Sequence, residues 1–234
     1  MAEIRYVSKV GRDAWLRVKL DSGGEISLPY YLKVQWEKTS QGRDYFEILE
    51  GPYKNKKANV SQPTPTQSYL VKNLTQLPGG TVKFDLAKQS LWYGSQGPFN
   101  AFSGAFASFT KVPPGTYVLA IPDAPHSATR PEYYNYTDYH KTWFRIGTAT
   151  SGSRYLHVGE ISEGCVTVRA FLFKPSSVPP SGFSDLPGLV TSTPGAIGFP
   201  YTSSPAPLAS WNDIYNYLIN RRKDDQSVAT LVVV

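Results

Sequence analysis

The chain has 234 residues, 41% of them hydrophobic and 18% charged, and a formal net charge of +6. That is a globular composition with enough apolar material for a core. One cysteine excludes an intramolecular disulfide, and no apolar run approaches the ~20 residues of a membrane span. The 16 Tyr, 11 Phe, 19 Gly and 19 Pro favour a mostly β chain with many turns.

Residues 3–60 alternate apolar and polar in "EIRYVSKV", "AWLRVKL", "GEISLPYYLKVQWEK" and "DYFEILEG". Turn signals separate them ("GRD", "DSGG", "SQGRD"), so residues 1–62 are expected to form a small N-terminal β domain. The stretch "SQPTPTQ" opens a linker, placed at 63–79. From 80 the pattern restarts. "TVKFDLAKQSLWYGS" contains two strand-like halves, and "VPPGTYVLAI" reads as a tight turn feeding a strand. "TWFRIGT", "RYLHVG" and "GCVTVRAFLF" are further β runs.

Residues 175–209 are rich in Pro, Ser and Gly without a period, and are read as an inserted loop or lid. The last segment carries the one helix signal. Ser210 is the expected N-cap, and Trp211, Ile214, Tyr215 and Leu218 mark one face. "RRK" at 221–223 is expected in its last turn, and "SVATLVVV" as a buried terminal strand.

The candidate chemistry lies in "SRYLHVGEISEGCVTVRAF" (153–171), which holds Cys165 eight positions after His157. A thiol attacks as thiolate and needs a base or N–H donors beside it. Folded as a hairpin about "VGEISEG", the two side chains come within reach. Gly164 permits close backbone approach, making the N–H groups of Gly164 and Cys165 candidate oxyanion donors. On composition alone a lone cysteine in "CVTV" is more often a packed hydrophobe. Ser162 is expected to hydrogen-bond within the turn or to a substrate carboxylate. The aromatic stretch around His140 is read as packing, and His126 as a surface turn residue. The motifs of zinc sites, phosphate-binding loops and dinucleotide folds are missing, so no metal or cofactor is expected.

"S-E-G-C-V" (162–166) resembles the nucleophile motif of the L,D-transpeptidase (YkuD-type) catalytic domain. "TVKFDLAKQSLWYGSQ" resembles that family's opening hairpin. Ser103-Gly104 and Val112–Tyr117 ("VPPGTY") resemble a later segment. The likeness covers roughly residues 80–175 and 210–234. Glu163 stands where the family has a histidine, and Arg169 lies two positions beyond the arginine expected after the cysteine.

The resemblance implies an L,D-transpeptidase-like β-sandwich or barrel over 80–234 with one C-terminal helix, preceded by the small β domain. It implies acyl transfer on peptidoglycan stem peptides, with Cys165 as nucleophile and His157 as base. Gly164, Ser162, Glu163, Gly159, Tyr155 and Arg169 form the oxyanion and substrate-binding set. L,D-transpeptidation, D-amino-acid exchange and L,D-carboxypeptidase trimming stay open, as does a non-catalytic, wall-binding β protein.

Basic residues are scattered, and the clusters "KNKK" (54–57) and "RRK" are not interleaved with aromatics. Nucleic acid is therefore not an expected partner; the charge is read first as a solvated surface and second as attraction to an anionic polymer. "MAEIRYVSKVGRDAW" has no apolar signal core, so the expectation is synthesis in the cytoplasm and action in the periplasm or wall, including that of a target cell. Secretion machinery and an inhibitory immunity protein are the further partners this reading leaves open.

Overall fold

The computed structural model describes residues 3–104, 110–126, 137–147, 154–159, 162, 164–169 and 211–234. The fold is mostly β with a single C-terminal helix among the described residues. The first sheet uses β1 (Glu3–Val7), β2 (Trp15–Leu20), β3 (Glu25–Pro29), β4 (Lys33–Ser40), β5 (Arg43–Ile48), β6 (Lys57–Ser61) and β7 (Leu70–Val71). Their order is β3-β2-β6-β5-β4-β1-β7. The alternation read from the sequence sets the faces: Leu16 and Val18 of β2 turn inward, as do Phe46 and Ile48 of β5. Gln41 and Gly42, at φ 52° and 69°, make the two-residue turn that joins β4 to β5. Both central residues at positive φ is the turn that matches strand twist.

The remaining elements are β8 (Leu77–Pro78), β9 (Gly80–Asp85), β10 (Ser90–Tyr93), β11 (Gln96–Phe102), β12 (Gly115–Ala120), β13 (Phe144–Arg145), β14 (Tyr155–Val158), β15 (Val166–Val168), α1 (Trp211–Ile219), β16 (Arg221–Arg222) and β17 (Ser227–Val233). The second sheet runs β12-β17-β9-β10-β11-β15-β14-β13. A bridge between Leu119 and Ile146 joins its first and last strands, and the Gly147 N–H donates to the Val118 carbonyl at 2.8 Å. The sheet thus curls back on itself as a near-barrel, which removes most of its free edge. The terminal strand β17 is central, antiparallel to β12 and parallel to β9, and Val228, Ala229, Leu231 and Val233 are buried.

The structure departs from three of the sequence expectations. Part of the stretch read as a linker is structural: β7 pairs with β1, and β8 with β16. The "RRK" cluster lies past the helix, and Arg221 and Arg222 form β16. Both still serve the helix end, because Arg221 Nη1 donates to the Tyr217 carbonyl and Arg222 Nη1 to that of Ile219, each at 2.8 Å. Finally, β14 and β15 are not a hairpin; they pair in parallel, Leu156 with Val166, His157 with Thr167 and Val158 with Val168. A parallel link usually needs a long crossover. Here β15 is three residues long. The chain therefore retraces only ~10 Å, within reach of the short connection from 159 to 165.

A buried ion pair ties the end of β5 in the first sheet to the separate two-stranded β8-β16 sheet. Glu50, after β5, meets Arg222 of β16 at 2.8 Å, and their side chains are 3% and 8% exposed. The Glu50 carboxylate also accepts from the Lys33 N–H and from Gln76 Nε2, both at 2.8 Å. Trp15 Nε1 donates to Thr142 Oγ1 at 3.0 Å, and Lys141 meets Asp13 at 2.9 Å. Helix α1 packs its predicted face inward, with Tyr215 stacked on Tyr139 at 3.7 Å and Trp211 Nε1 donating to the Tyr139 carbonyl at 2.9 Å. The candidate N-cap Ser210, the segment 175–209 and Tyr133, Tyr134 and Tyr136 lie outside the described residues.

Candidate active site

Parallel pairing places partner residues on the same face, and alternation keeps i and i+2 together. Cys165, Thr167 and Arg169 therefore share a face with Tyr155 and His157 of β14. The antiparallel neighbour adds Arg145 opposite Tyr155, and Trp143 one step further, opposite His157. The two residues expected to form a dyad reach one sheet face, by parallel pairing instead of a hairpin. Both are buried: Cys165 is 7% exposed and His157 6%.

The backbone around the thiol is tightly held. Gly164 adopts φ 77°, which suits glycine, and its N–H donates to the Gly104 carbonyl at 3.0 Å. That donor, expected to face a substrate oxyanion, is instead committed to the chain. Ser162 Oγ donates to the Cys165 carbonyl at 2.7 Å, closing the turn as its sequence position implied. A Cβ on Gly104 would stand 2.9 Å from the Ser162 carbonyl oxygen, so the Ser103-Gly104 segment and the "S-E-G-C" turn touch through backbone. The Tyr155 N–H points at Cys165 Sγ from 3.4 Å. An N–H aimed at sulfur favours negative charge there.

His157 is fixed on three sides. A carbonyl only accepts, so the 2.9 Å contact with the Val158 oxygen puts the ring proton on Nδ1. Burial drives the pKa of the ring down to about 4, against the upward push of that hydrogen bond. At neutral pH Nε2 therefore carries a lone pair, which accepts from Thr167 Oγ1 at 3.2 Å. The ring stacks on Trp143 at 4.4 Å, and Gly159 leaves room for it, since a Cβ there would sit 3.4 Å from the ring. His157 thus has the tautomer and lone pair a general base needs, with the lone pair resting on a threonine hydroxyl.

The other expected residues are spread out. Tyr155 is buried beside the thiol. Arg169 donates its N–H to the Asn100 carbonyl at 3.1 Å and lays its guanidinium 4.8 Å from the Phe102 ring centre, two positions past Thr167. Glu163 lies outside the described residues.

Sequence reading missed a second row of groups. His126, read as a surface turn residue, stacks on Trp143 at 4.2 Å, so the indole carries stacks from two imidazoles. Its Nε2 is 3.6 Å from Asp123 Oδ1, and Arg145 Nη2 donates to Asp123 Oδ2 at 2.7 Å. Burial pushes the Asp123 carboxyl up, but the neighbouring His126 side chain and the Arg145 guanidinium outweigh it and hold the pKa at about 2. The available signal was the alternation in "TWFRIG", which puts Trp143 and Arg145 on one face. His126 and Asp123 come from an irregular segment with no such period. His140 is buried in the packing, which lowers its pKa.

Among the described residues no group of three or more His, Cys, Asp or Glu is placed to hold a metal ion, and no helix is long and apolar enough to cross a membrane. No family model, curated protein or solved structure matches the chain.

Proposed function

We propose that the protein is a cysteine acyltransferase or peptidase acting on peptidoglycan stem peptides, through a thioester on Cys165. One observation carries the reading most: a neutral, proton-poor Nε2 on His157 shares a sheet face with Cys165, whose sulfur already receives a backbone N–H. His157 takes the thiol proton, leaving Thr167 Oγ1 as the group it must release. The thiolate adds to the carbonyl of the third stem residue, the C–N bond to the terminal D-residue breaks, and His157 returns its proton to the leaving amine. With Gly164 N–H engaged by Gly104, the Cys165 N–H is the backbone donor for the oxyanion. Water then releases a tripeptide, or an amine forms a new amide. The family resemblance supports the substrate class, and the basic surface suits an anionic wall polymer.

Burial of both Cys165 and His157 favours a second reading, a wall-binding β protein with a packed thiol. Incubation with purified muropeptides separates the two. Loss of the terminal residue with wild type and not with Cys165→Ala supports the enzyme. Identical products from both proteins end that reading.

A further inference from the structure

A row of side chains leads from the thiol towards solvent, and it ends on a cation. The parallel register, extended one step, sets Cys165 beside Tyr155, and the antiparallel register sets Tyr155 beside Arg145. The Tyr155 N–H on Sγ ties the first pair, and the Arg145 guanidinium, 5.4 Å from the Tyr155 ring centre, ties the second. Exposure rises along the row: Cys165 is 7% and Tyr155 8% exposed, then the side chains of Arg145 and Asp123 reach 24% and 28%. Among the described residues the guanidinium makes one hydrogen bond, Nη2 to Asp123. Its Nε–H and Nη1–H groups have no acceptor there, though a guanidinium offers five donors in a fork suited to a carboxylate.

We infer that Arg145 receives the terminal carboxylate of the leaving residue, with Asp123 holding the guanidinium in place. The inference rests on the acyl-transfer reading above and names its specificity: a peptide with a free C-terminal α-carboxylate. The geometry fits that length. Two strand spacings separate Arg145 and Cys165 by ~10 Å of backbone, and the guanidinium reaches back over the Tyr155 ring. One peptide residue spans ~3.8 Å, so a carboxylate one residue beyond the scissile carbonyl falls between sulfur and guanidinium. Tyr155 is then the floor beneath the leaving residue. Arg169, the cation expected from sequence, sits two positions past Thr167 with its guanidinium over Phe102.

The test compares a tetrapeptide stem bearing a free C-terminal carboxylate with the same peptide as a carboxamide. The expected wild-type preference for the acid in kcat/KM is on the order of tenfold to a hundredfold, carried by KM, as for a charge-assisted hydrogen-bonded pair. Arg145→Gln should reduce that ratio to about two or less, and Arg145→Lys should leave a reduced preference. Asp123→Asn keeps the cation but loosens the charge-assisted hydrogen bond that positions it, and should lower the preference without abolishing it. If Arg145→Gln does not fold, the Lys variant decides the matter, since an undiminished ratio there overturns the assignment. A wild type that does not discriminate, or an Arg145→Gln ratio equal to wild type, overturns the carboxylate site and leaves acyl transfer standing. A wild type that turns over neither peptide overturns both.

Discussion

The neutral state of His157 has a thermodynamic signature that does not depend on finding a substrate. Its ring is buried, and its pKa falls from 6.5 to about 4. That difference is worth about 3 kcal/mol between the two protonation states. The unfolded chain takes up a proton that the native ring refuses. Stability is therefore complete above about pH 6.5, declines as the pH falls through that window, and the loss is complete below about pH 4. Between pH 7.5 and 4.5 the linkage relation gives about 2.5 kcal/mol from this one group. The lowered pKa of His140 acts in the same direction, while Asp123 loses its contribution only as the pH falls from 3.8 towards about 2. Comparing wild type with His157→Gln isolates the ring. Urea unfolding of both proteins at pH 7.5 and 4.5 should show the variant losing about 2.5 kcal/mol less on acidification. Equal losses would mean that the imidazole is charged or solvated in the native state, and the argument for a lone pair on Nε2 would fail.

Other perturbations reach the remaining supports of the site. Trp143→Ala removes two stacks on histidines. At about 0.5–1.5 kcal/mol each, it should lower the urea midpoint by the equivalent of about 1–3 kcal/mol and reduce kcat by releasing the His157 ring. Gly104→Ala sets a methyl 2.9 Å from the Ser162 carbonyl. Since that neighbour is backbone of the nucleophile turn, turnover should fall more steeply than thermal stability, as read by parallel rate and melting measurements. Arg222→Leu leaves the buried Glu50 carboxylate without its cation, and calorimetry should record a loss of about 3–5 kcal/mol. The pair Glu50→Leu with Arg222→Leu should recover part of that loss, because no buried charge is left unpaired.

The strands and helix were legible in the sequence because their faces differ sharply in burial. Alternation at Leu16 and Val18, and at Phe46 and Ile48, predicts inward faces, and the spacing of Trp211, Ile214, Tyr215 and Leu218 predicts the helix stripe that is buried. Strand partners were not legible. Period two looks the same in parallel and antiparallel pairs, so the connection after His157 read as a hairpin although β14 and β15 run in parallel. The pairs β7 with β1 and β8 with β16 are two residues long, too short to show any period. At the site, Cys165, His157 and Ser162 stood out by residue type and spacing. The Asp123, His126, Trp143 and Arg145 row did not, because it is assembled from a loop and a two-residue strand that only the closed sheet brings beside β14. Residue type also failed to foresee that Gly164 N–H is taken by Gly104, a contact 60 positions away in sequence.

The proposed reaction stands or falls on a thioester at Cys165. Intact-mass spectrometry of the protein mixed rapidly with a stem tetrapeptide tests it directly. The predicted result is an adduct equal to the peptide less its terminal residue, mapped to Cys165 and missing in Cys165→Ser. Release of the terminal residue by a Cys165→Ser protein at the wild-type rate, with no adduct on either, would contradict it.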